Sequence, residues 1–352
     1  MSGAAAVWLP NGFHRLLSDV DWLSAYDVKL RHEEVACWFA GMPVYDEMRD
    51  AIYPPASYAV LWPLLGWLDL EPARRLWAAA CAAGLFWLAL LCGRHAMPGA
   101  SNRVRGLAAL VPAALWSTGH SIGQGQLVVL VLPAILTGVG WARAGGFRGY
   151  EVAAALLVLF ALVKPSLTAP FFWILVFARP RIAALSILGY LVLTLLAASY
   201  QDAPLSLVLQ GWLRRGLHVA ALQGDADLAT ALAAAGRQRW ILPTTLAVLS
   251  LHGLWTWWHR HADPWLLLGM SGIVARLWTY HYPYDDLLLL APVIALARTA
   301  AGPARNRAAG GLALAAVAVL VMPPVAGGAA FLSAPLAAWL AVEARRQAHR
   351  AG

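Results

Sequence analysis

Four groups of polar residues interrupt a chain that is otherwise strongly apolar. They are Asp27–Glu34, Gly123–Gln126, Lys164–Ser166 and Arg276–Asp286. The last group places an arginine, a histidine and two acids among four aromatic residues within eleven positions. Ionisable residues inside or beside membrane segments are costly, which makes them candidates for a functional role. We therefore expect the four groups to contribute to one site.

A carboxylate and several cations could together transfer an activated sugar to a hydroxyl group. The carboxylate would take the proton of the attacking hydroxyl, and the cations would stabilise the lipid phosphate that leaves. We predict that Asp27 is this base. The residues expected to bind the phosphate are Lys29, Arg31, Lys164, Arg276 and His281. Those expected to contact the sugar or the acceptor are Gln124, Tyr280, Tyr284 and Asp285.

Each polar group also has a structural interpretation. The segment around Asp27 could be a solvated, salt-bridged loop, and Gly123-Gln124 could form a tight turn. Lys164, at a proline break, could extend its ammonium to the membrane interface. The Arg276–Asp286 group is the hardest to explain as structure alone.

The composition indicates a protein embedded in a membrane. The chain has 352 residues, of which 61% are hydrophobic and 12% charged, whereas soluble domains carry about a quarter charged residues. The net charge of +8 comes from arginines in short gaps between apolar segments. Because no basic stripe contains interleaved aromatics, we expect no nucleic-acid partner. The three cysteines lack metal or redox spacing, so we expect none of them to bind a metal, and no cofactor is expected.

Apolar segments follow one another along most of the chain. They lie at about 73–93, 104–119, 125–142, 150–163, 166–178, 181–200, 239–258, 264–280, 285–300, 307–322 and 327–343. We predict an all-α, polytopic transmembrane helix bundle with about eleven crossings over residues 71–352. Residues 1–70 should form an extracytoplasmic loop region with interfacial helices, among them 54–67, without a cleavable signal peptide or a preceding transmembrane helix. Residues 201–238 should form a second extracytoplasmic loop.

The orientation follows from arginines in alternate short gaps, which mark the cytoplasmic side. These residues are Arg94, Arg103, Arg105, Arg143, Arg148, Arg179, Arg181, Arg260, Arg298, Arg305, Arg307, Arg345, Arg346 and Arg350. The four polar groups then lie on the periplasmic or extracytoplasmic side of the cell (inner) membrane. Four arginines oppose this assignment, namely Arg74, Arg75, Arg237 and Arg239.

The order of several short motifs resembles that of a known family over about residues 19–300. The motifs are Asp27, Gly41–Tyr45, Tyr53–Pro55, Gly123-Gln124, Lys164-Pro165, Trp278–His281 and Tyr284-Asp285. They are similar to those of the polyprenol-phosphate-sugar-dependent GT-C glycosyltransferases of the mannosyltransferase type, glycosyltransferase family 87. The resemblance implies a GT-C-like fold and a catalytic acid at Asp27, with Asp19 or Asp21 as substitutes. Gln126 stands where the family usually has an asparagine.

The resemblance also implies an inverting transferase with a polyprenyl-phosphate sugar donor and usually without a metal. The expected reaction moves a hexose (mannose by default) or a pentose to a hydroxyl of a lipid or glycan acceptor, with membrane lipids as further partners. The alternative is a transporter or flippase for an anionic lipid or sugar, although the two halves show no internal repeat. A third possibility is an acyltransferase using a histidine such as His252, or a non-catalytic assembly subunit.

Overall fold

The computed structural model describes residues 2–144, 148–302, 306–324 and 328–351, and all regular structure within these ranges is helical. The α-helices are α1 (Ser2–Leu17), α2 (Tyr26–Phe39), α3 (Val44–Glu47), α4 (Pro55–Leu65), α5 (Leu70–His95), α6 (Asn102–Ala109), α7 (Val111–Ala114), α8 (Trp116–Gln124), α9 (Val128–Ala144), α10 (Arg148–Ala161), α11 (Pro165–Ala178), α12 (Pro180–Ala198), α13 (Leu205–Leu222), α14 (Leu228–Ala234), α15 (Ile241–Trp258), α16 (Pro264–Leu277), α17 (Leu290–Ala301), α18 (Arg307–Val321) and α19 (Gly328–Ala351). Two 3₁₀ helices cover Gln238–Trp240 and Pro283–Leu289. The predicted all-α class is confirmed.

Two helices are long and apolar enough to cross a membrane, α5 with 26 residues and α12 with 19. A third span is possible if α8 and α9, bent by 116° at their junction, are taken together. Most other apolar segments form shorter helices, such as α11 and α16 with 14 residues each. Such a helix is about 21 Å long, less than the roughly 30 Å hydrocarbon core. By length and composition the described residues thus provide two or three candidate spans, fewer than the predicted eleven.

The exposed face of α12 supports contact with lipid. Its exposed side chains include Leu185, Ile187, Leu188, Leu191, Val192, Leu195 and Leu196. A continuous exposed apolar face on one helix normally marks a protein or membrane contact. Three arginines that support the predicted orientation are not fully described. They are Arg305 and the side chains of Arg148 and Arg350.

Helix α1 was not indicated by the sequence pattern, and it packs closely against α8. A Cβ atom added to Gly12 would lie 2.4 Å from the carbonyl oxygen of Gly119, so only glycine allows this approach. The indole of Trp8 donates to the carbonyl oxygen of Val321 at 3.2 Å. Arg74, one of the arginines that opposed the predicted orientation, is buried and donates to the carbonyl oxygen of Leu16 at 2.8 Å. This arginine therefore joins α5 to the end of α1.

The region predicted as a long loop at 201–238 is mostly helical, because α13 and α14 occupy it. The predicted interfacial segment 54–67 forms α4, which contacts α2 and α12. Four parts of the fold meet at one end of the helices. They are the start of α2, the α8–α9 junction, the start of α11 and the end of α16. The backbone amide of Ala25 donates to the carbonyl oxygen of Gly123 at 2.9 Å, which joins α2 to α8 directly.

Candidate functional site

A cavity of about 570 Å³ lies where the four polar groups meet. Seven of the predicted site residues line it, namely Asp27, Arg31, Gln124, Lys164, Tyr280, Tyr284 and Asp285. They come from α2, α8, the turn before α11 and the segment after α16, so the cavity is built by residues that are distant along the chain.

Asp27 lies in the first turn of α2 and is linked to Lys164 through one amide side chain. Gln126 Nε2 donates to Asp27 Oδ2, and Lys164 Nζ donates to Gln126 Oε1 at 3.3 Å. Burial raises the pKa of Asp27, while the positive charges of Arg31 and Lys164 oppose this rise. The carboxylate is thus oriented toward the cavity by a neutral donor, with two cations nearby.

Lys164 also faces a second carboxylate across the cavity. Its ammonium is 3.7 Å from Asp285 Oδ1, and His281 Nδ1 is 3.0 Å from Asp285 Oδ2. Burial alone would raise the pKa of Asp285, but Lys164 and His281 hold it below its usual range. Burial lowers the pKa of His281. Lys164 therefore contacts Asp285 directly and is joined to Asp27 through Gln126.

Arg31 lines the cavity with much of its hydrogen-bonding capacity already used. Its Nη1 donates to Glu34 at 2.7 Å and its Nη2 to the carbonyl oxygen of Asp50 at 3.2 Å. The guanidinium lies 4.3 Å from the ring centroid of Tyr53, a cation–π contact. Burial raises the pKa of Glu34 to about 8, against the effect of Arg31.

Three predicted phosphate ligands do not line the cavity. Lys29 follows Asp27 by two positions, which turns it about 200° around α2, and its ammonium pairs with Asp19 at 2.6 Å. Arg276 points from the last turn of α16 to Asp286, at 2.5 Å, and is buried. His281 lies behind Asp285. Their placement favours supporting roles over direct phosphate contact.

One polar network at the cavity was not indicated by the sequence. Asp50 accepts from Tyr26 at 3.1 Å and from Gln223 at 3.3 Å, and Tyr282 donates to Gln223 at 2.8 Å. All four residues line the cavity. The network joins α2 to the end of α13, and positions separated by 173 residues carry no local signal of such contact.

His120 also lines the cavity and was not among the predicted site residues. Its ring stacks on Trp116 with centroids 4.4 Å apart, and its Nε2 lies 2.9 Å from the side-chain nitrogen of Gln124. The imidazole is therefore held within α8, between side chains one turn before and one turn after it.

An apolar groove of about 240 Å³ adjoins the cavity. Its walls come mainly from α13 and α15, with Trp212, Leu213, Leu217, Ala220, Ile241, Leu242 and Leu246. Five residues line both spaces, namely Ile52, Tyr53, Lys164, Ser166 and Tyr280. Lys164 thus lies at the junction of a polar cavity and an apolar groove.

Among the described residues, no group of three or more histidine, cysteine or acidic side chains is placed to hold a metal ion. No known protein family, curated protein or solved structure matches the chain. The fold and the site define an all-helical protein with helices able to cross a membrane and a polar cavity next to an apolar groove.

Proposed function

We propose that this protein is an inverting glycosyltransferase that takes a sugar from a polyprenyl-phosphate donor and attaches it to a hydroxyl of a lipid or glycan acceptor. The observation that carries the proposal is the position of Lys164, which lines both the polar cavity and the apolar groove and is joined to Asp27 through Gln126. A lipid-linked phosphate needs both environments at once, because its head is anionic and its chain is apolar.

Asp27 is proposed as the general base. The acceptor hydroxyl attacks C1 of the sugar, its proton passes to the Asp27 carboxylate, and the bond between C1 and the phosphate oxygen breaks on the opposite face. The burial that raises the pKa of Asp27 makes the carboxylate a better proton acceptor. The electron pair of the broken bond stays on the polyprenyl phosphate.

Lys164 is proposed to stabilise the charge that develops on this phosphate. An ammonium acts as a compact charge with three donors, and among the described residues Lys164 pairs with one carboxylate, that of Asp285, at 3.7 Å. The buried guanidinium of Arg31, which also lines the cavity, would place a second positive charge near the phosphate. Tyr280 and Tyr284 would pack against the sugar, the Gln124 amide would donate to or accept from its hydroxyls, and the Asp285 carboxylate would accept from them.

The membrane arrangement proposed with this function is a bundle of about eleven crossings in the cell (inner) membrane, with the cavity on the periplasmic or extracytoplasmic face. The support is the apolar exposed face of α12 and the arginines in alternate short gaps of the sequence. The similarity to family 87 motifs supports mannose as the default sugar, with another hexose or a pentose as alternatives.

The function is tested by reconstituting the protein in liposomes with polyprenyl-phosphate sugars labelled on the sugar. Incubation with a membrane lipid extract should move the label covalently to an acceptor and release polyprenyl phosphate. Labelled donor that crosses the bilayer intact, without any covalent product, would instead identify a flippase and overturn the proposal.

A further inference from the structure

A basic pocket lies at the far ends of three helices that begin beside the cavity or the groove. It is lined by Arg143, Phe177, Ala178, Arg179, Arg260 and His261 and has a volume of about 320 Å³. The helices α9, α11 and α15 begin next to the cavity or the groove and end at this pocket. With 17, 14 and 18 residues, they separate the two sites by about 21–27 Å.

Among the described residues, none of the three pocket arginines forms an ion pair, and the carboxylate whose charge acts on Arg143, Asp263, pairs with Arg298. Arg143 donates to the carbonyl oxygens of Arg260 and Ala262 at 2.8 and 3.1 Å, and Arg179 donates to that of Ala142 at 2.6 Å. Carbonyl acceptors carry no net charge, so these bonds orient the guanidinium groups without neutralising them. None of the described residues that line the pocket is acidic.

Asp263 lies beside the pocket, but its carboxylate already has partners of its own. Asp263 accepts from the backbone amide of Trp265 at 2.8 Å and pairs with Arg298 at 3.5 Å. Capping of helix ends accounts for part of the arrangement, because helix C-termini favour cations. Capping alone does not account for an open volume between three guanidinium groups and an imidazole.

Exposed indoles surround this end of the molecule. Trp141, Trp257 and Trp258 are 41%, 44% and 61% exposed, and Arg260 lies over the ring of Trp257 at 5.1 Å. Tryptophan is enriched where a membrane surface meets water. The exposed indoles thus place the pocket at the level of lipid headgroups.

We propose that the basic pocket binds the phosphate group of an anionic phospholipid. Arginine forks match phosphate oxygens in geometry and charge, and basic pockets between helices on the cytoplasmic side are suited to acidic lipid headgroups. This site is independent of glycosyl transfer, because it shares no residue with the cavity or the groove.

The test is native mass spectrometry of the protein in detergent during titration with phosphatidylglycerol or phosphatidylcholine. Wild-type protein should bind phosphatidylglycerol in preference, and Arg260→Gln should weaken this binding about tenfold. Arg260 is suited to substitution because its guanidinium donates within its own turn, to the carbonyl oxygen of Trp257 at 3.0 Å. Arg179→Gln provides a second variant. The matched control is Arg105→Gln, an arginine that also donates to a carbonyl oxygen, that of Gly93, but lies outside the pocket.

A competition arm distinguishes the source of the phosphate. If millimolar inorganic phosphate displaces phosphatidylglycerol from wild-type protein, the pocket is a general phosphate site, and if it does not, the lipid is the specific ligand. Equal binding of both lipids, or no effect of either pocket substitution, would overturn the proposal. Transferase activity does not enter this test, so its outcome is separate from that of the proposed function.

Discussion

The side-chain amide of Gln126 links Asp27 and Lys164, the two side chains proposed to act in the reaction. Its Nε2 donates to Asp27 and its Oε1 accepts from Lys164. An amide can satisfy an anion and a cation at once without adding net charge. The side chains proposed as base and phosphate-binding cation are thereby linked through one group, and such positioning would favour the proposed transfer.

Replacement of Gln126 by leucine should change the pH dependence of transfer. The Gln126 hydrogen bond lowers the pKa of Asp27, so its loss raises that pKa. Because the base acts only when ionised, the acidic limb of the kcat/KM profile should move to higher pH, and kcat should fall about 10–100-fold. Gln201→Leu is the control, since Gln201 donates to the carbonyl oxygen of Trp38 away from the cavity. An unchanged acidic limb would show that the amide does not act on Asp27.

Glu34 should impose a pH dependence on stability. Its pKa is raised by burial from 4.5 to about 8. Between these pH values the unfolded chain releases the proton that the folded protein keeps, so stability falls as the pH rises. Glu34→Gln should therefore have a smaller difference in Tm between pH 5 and pH 8 than wild type. The exposed neighbour Glu33, changed to Gln, should leave that difference intact, and identical profiles for all three proteins would contradict the assignment.

At the scale of elements, α2 and the α8–α9 junction determine the geometry of the site. Asp27, Arg31 and Glu34 recur at helical spacing, which places them on one face of α2. The chain reverses between α8 and α9 at Gly125, which has a φ of +76°. Gln126 follows that turn directly and is thereby directed at α2.

A substitution at Gly125 should damage the site through the backbone. A Cβ atom there would lie 2.2 Å from Val28 Cγ2 of α2. A non-glycine residue in this left-handed conformation costs about 1–3 kcal/mol before the clash is counted. Gly125→Ala should thus lower Tm and transfer activity together. Gly140→Ala in α9, where no atom lies within 4 Å of the added Cβ, should leave both nearly unchanged, and equal behaviour of the two variants would contradict this role of the turn.

The sequence could predict which polar segments belong together but not which side chains face the cavity. The alternation of arginine-containing gaps placed Asp27, Lys164 and Asp285 on one side, and the structure brings them to one cavity. The rotation of α2 that directs Lys29 to Asp19 and the pairing of Arg276 with Asp286 depend on tertiary packing. The helical register of a short polar stretch is not visible in the composition.

Apolar runs in the sequence outnumber the helices long enough to cross a membrane for a related reason. Apolar runs mark burial, and a run of 14 residues is as apolar in a short helix packed inside the protein as in one that reaches lipid. Helix α1 had no signal either, because its contact with α8 depends on two small residues, Gly12 and Gly119, that allow close approach.

At the scale of the whole molecule, α9, α11 and α15 connect two sites of different character. One end carries the cavity and the apolar groove, and the other end carries the basic pocket. The groove has the apolar lining that a polyprenyl chain requires, and Lys164 marks the point where the chain would meet its phosphate. Under the proposed function, the length of the polyprenyl chain should therefore affect donor binding through the groove and not through the cavity.

Filling the groove should discriminate between donors by chain length. Gly216 lines the groove, and a Cβ atom there would meet no atom of a neighbouring element within 4 Å, so the side chain introduced by Gly216→Trp would extend into open space. The KM for a long-chain donor should rise about tenfold through lost apolar contacts, while that for a donor with a very short chain should not change. Gly106→Trp, with equally open surroundings outside the groove, is the control. An equal rise for both donors would place the chain elsewhere.

The most direct test of the central claim is the transfer rate of Asp27→Asn with a polyprenyl-phosphate sugar under single-turnover conditions. The variant keeps the size of the side chain and removes the proton acceptor, so the rate should fall at least about 100-fold. Asp46→Asn is the matched control, since Asp46 is exposed and pairs with Arg214 outside the cavity, and its rate should equal that of wild type. Transfer by Asp27→Asn at the wild-type rate would contradict the account.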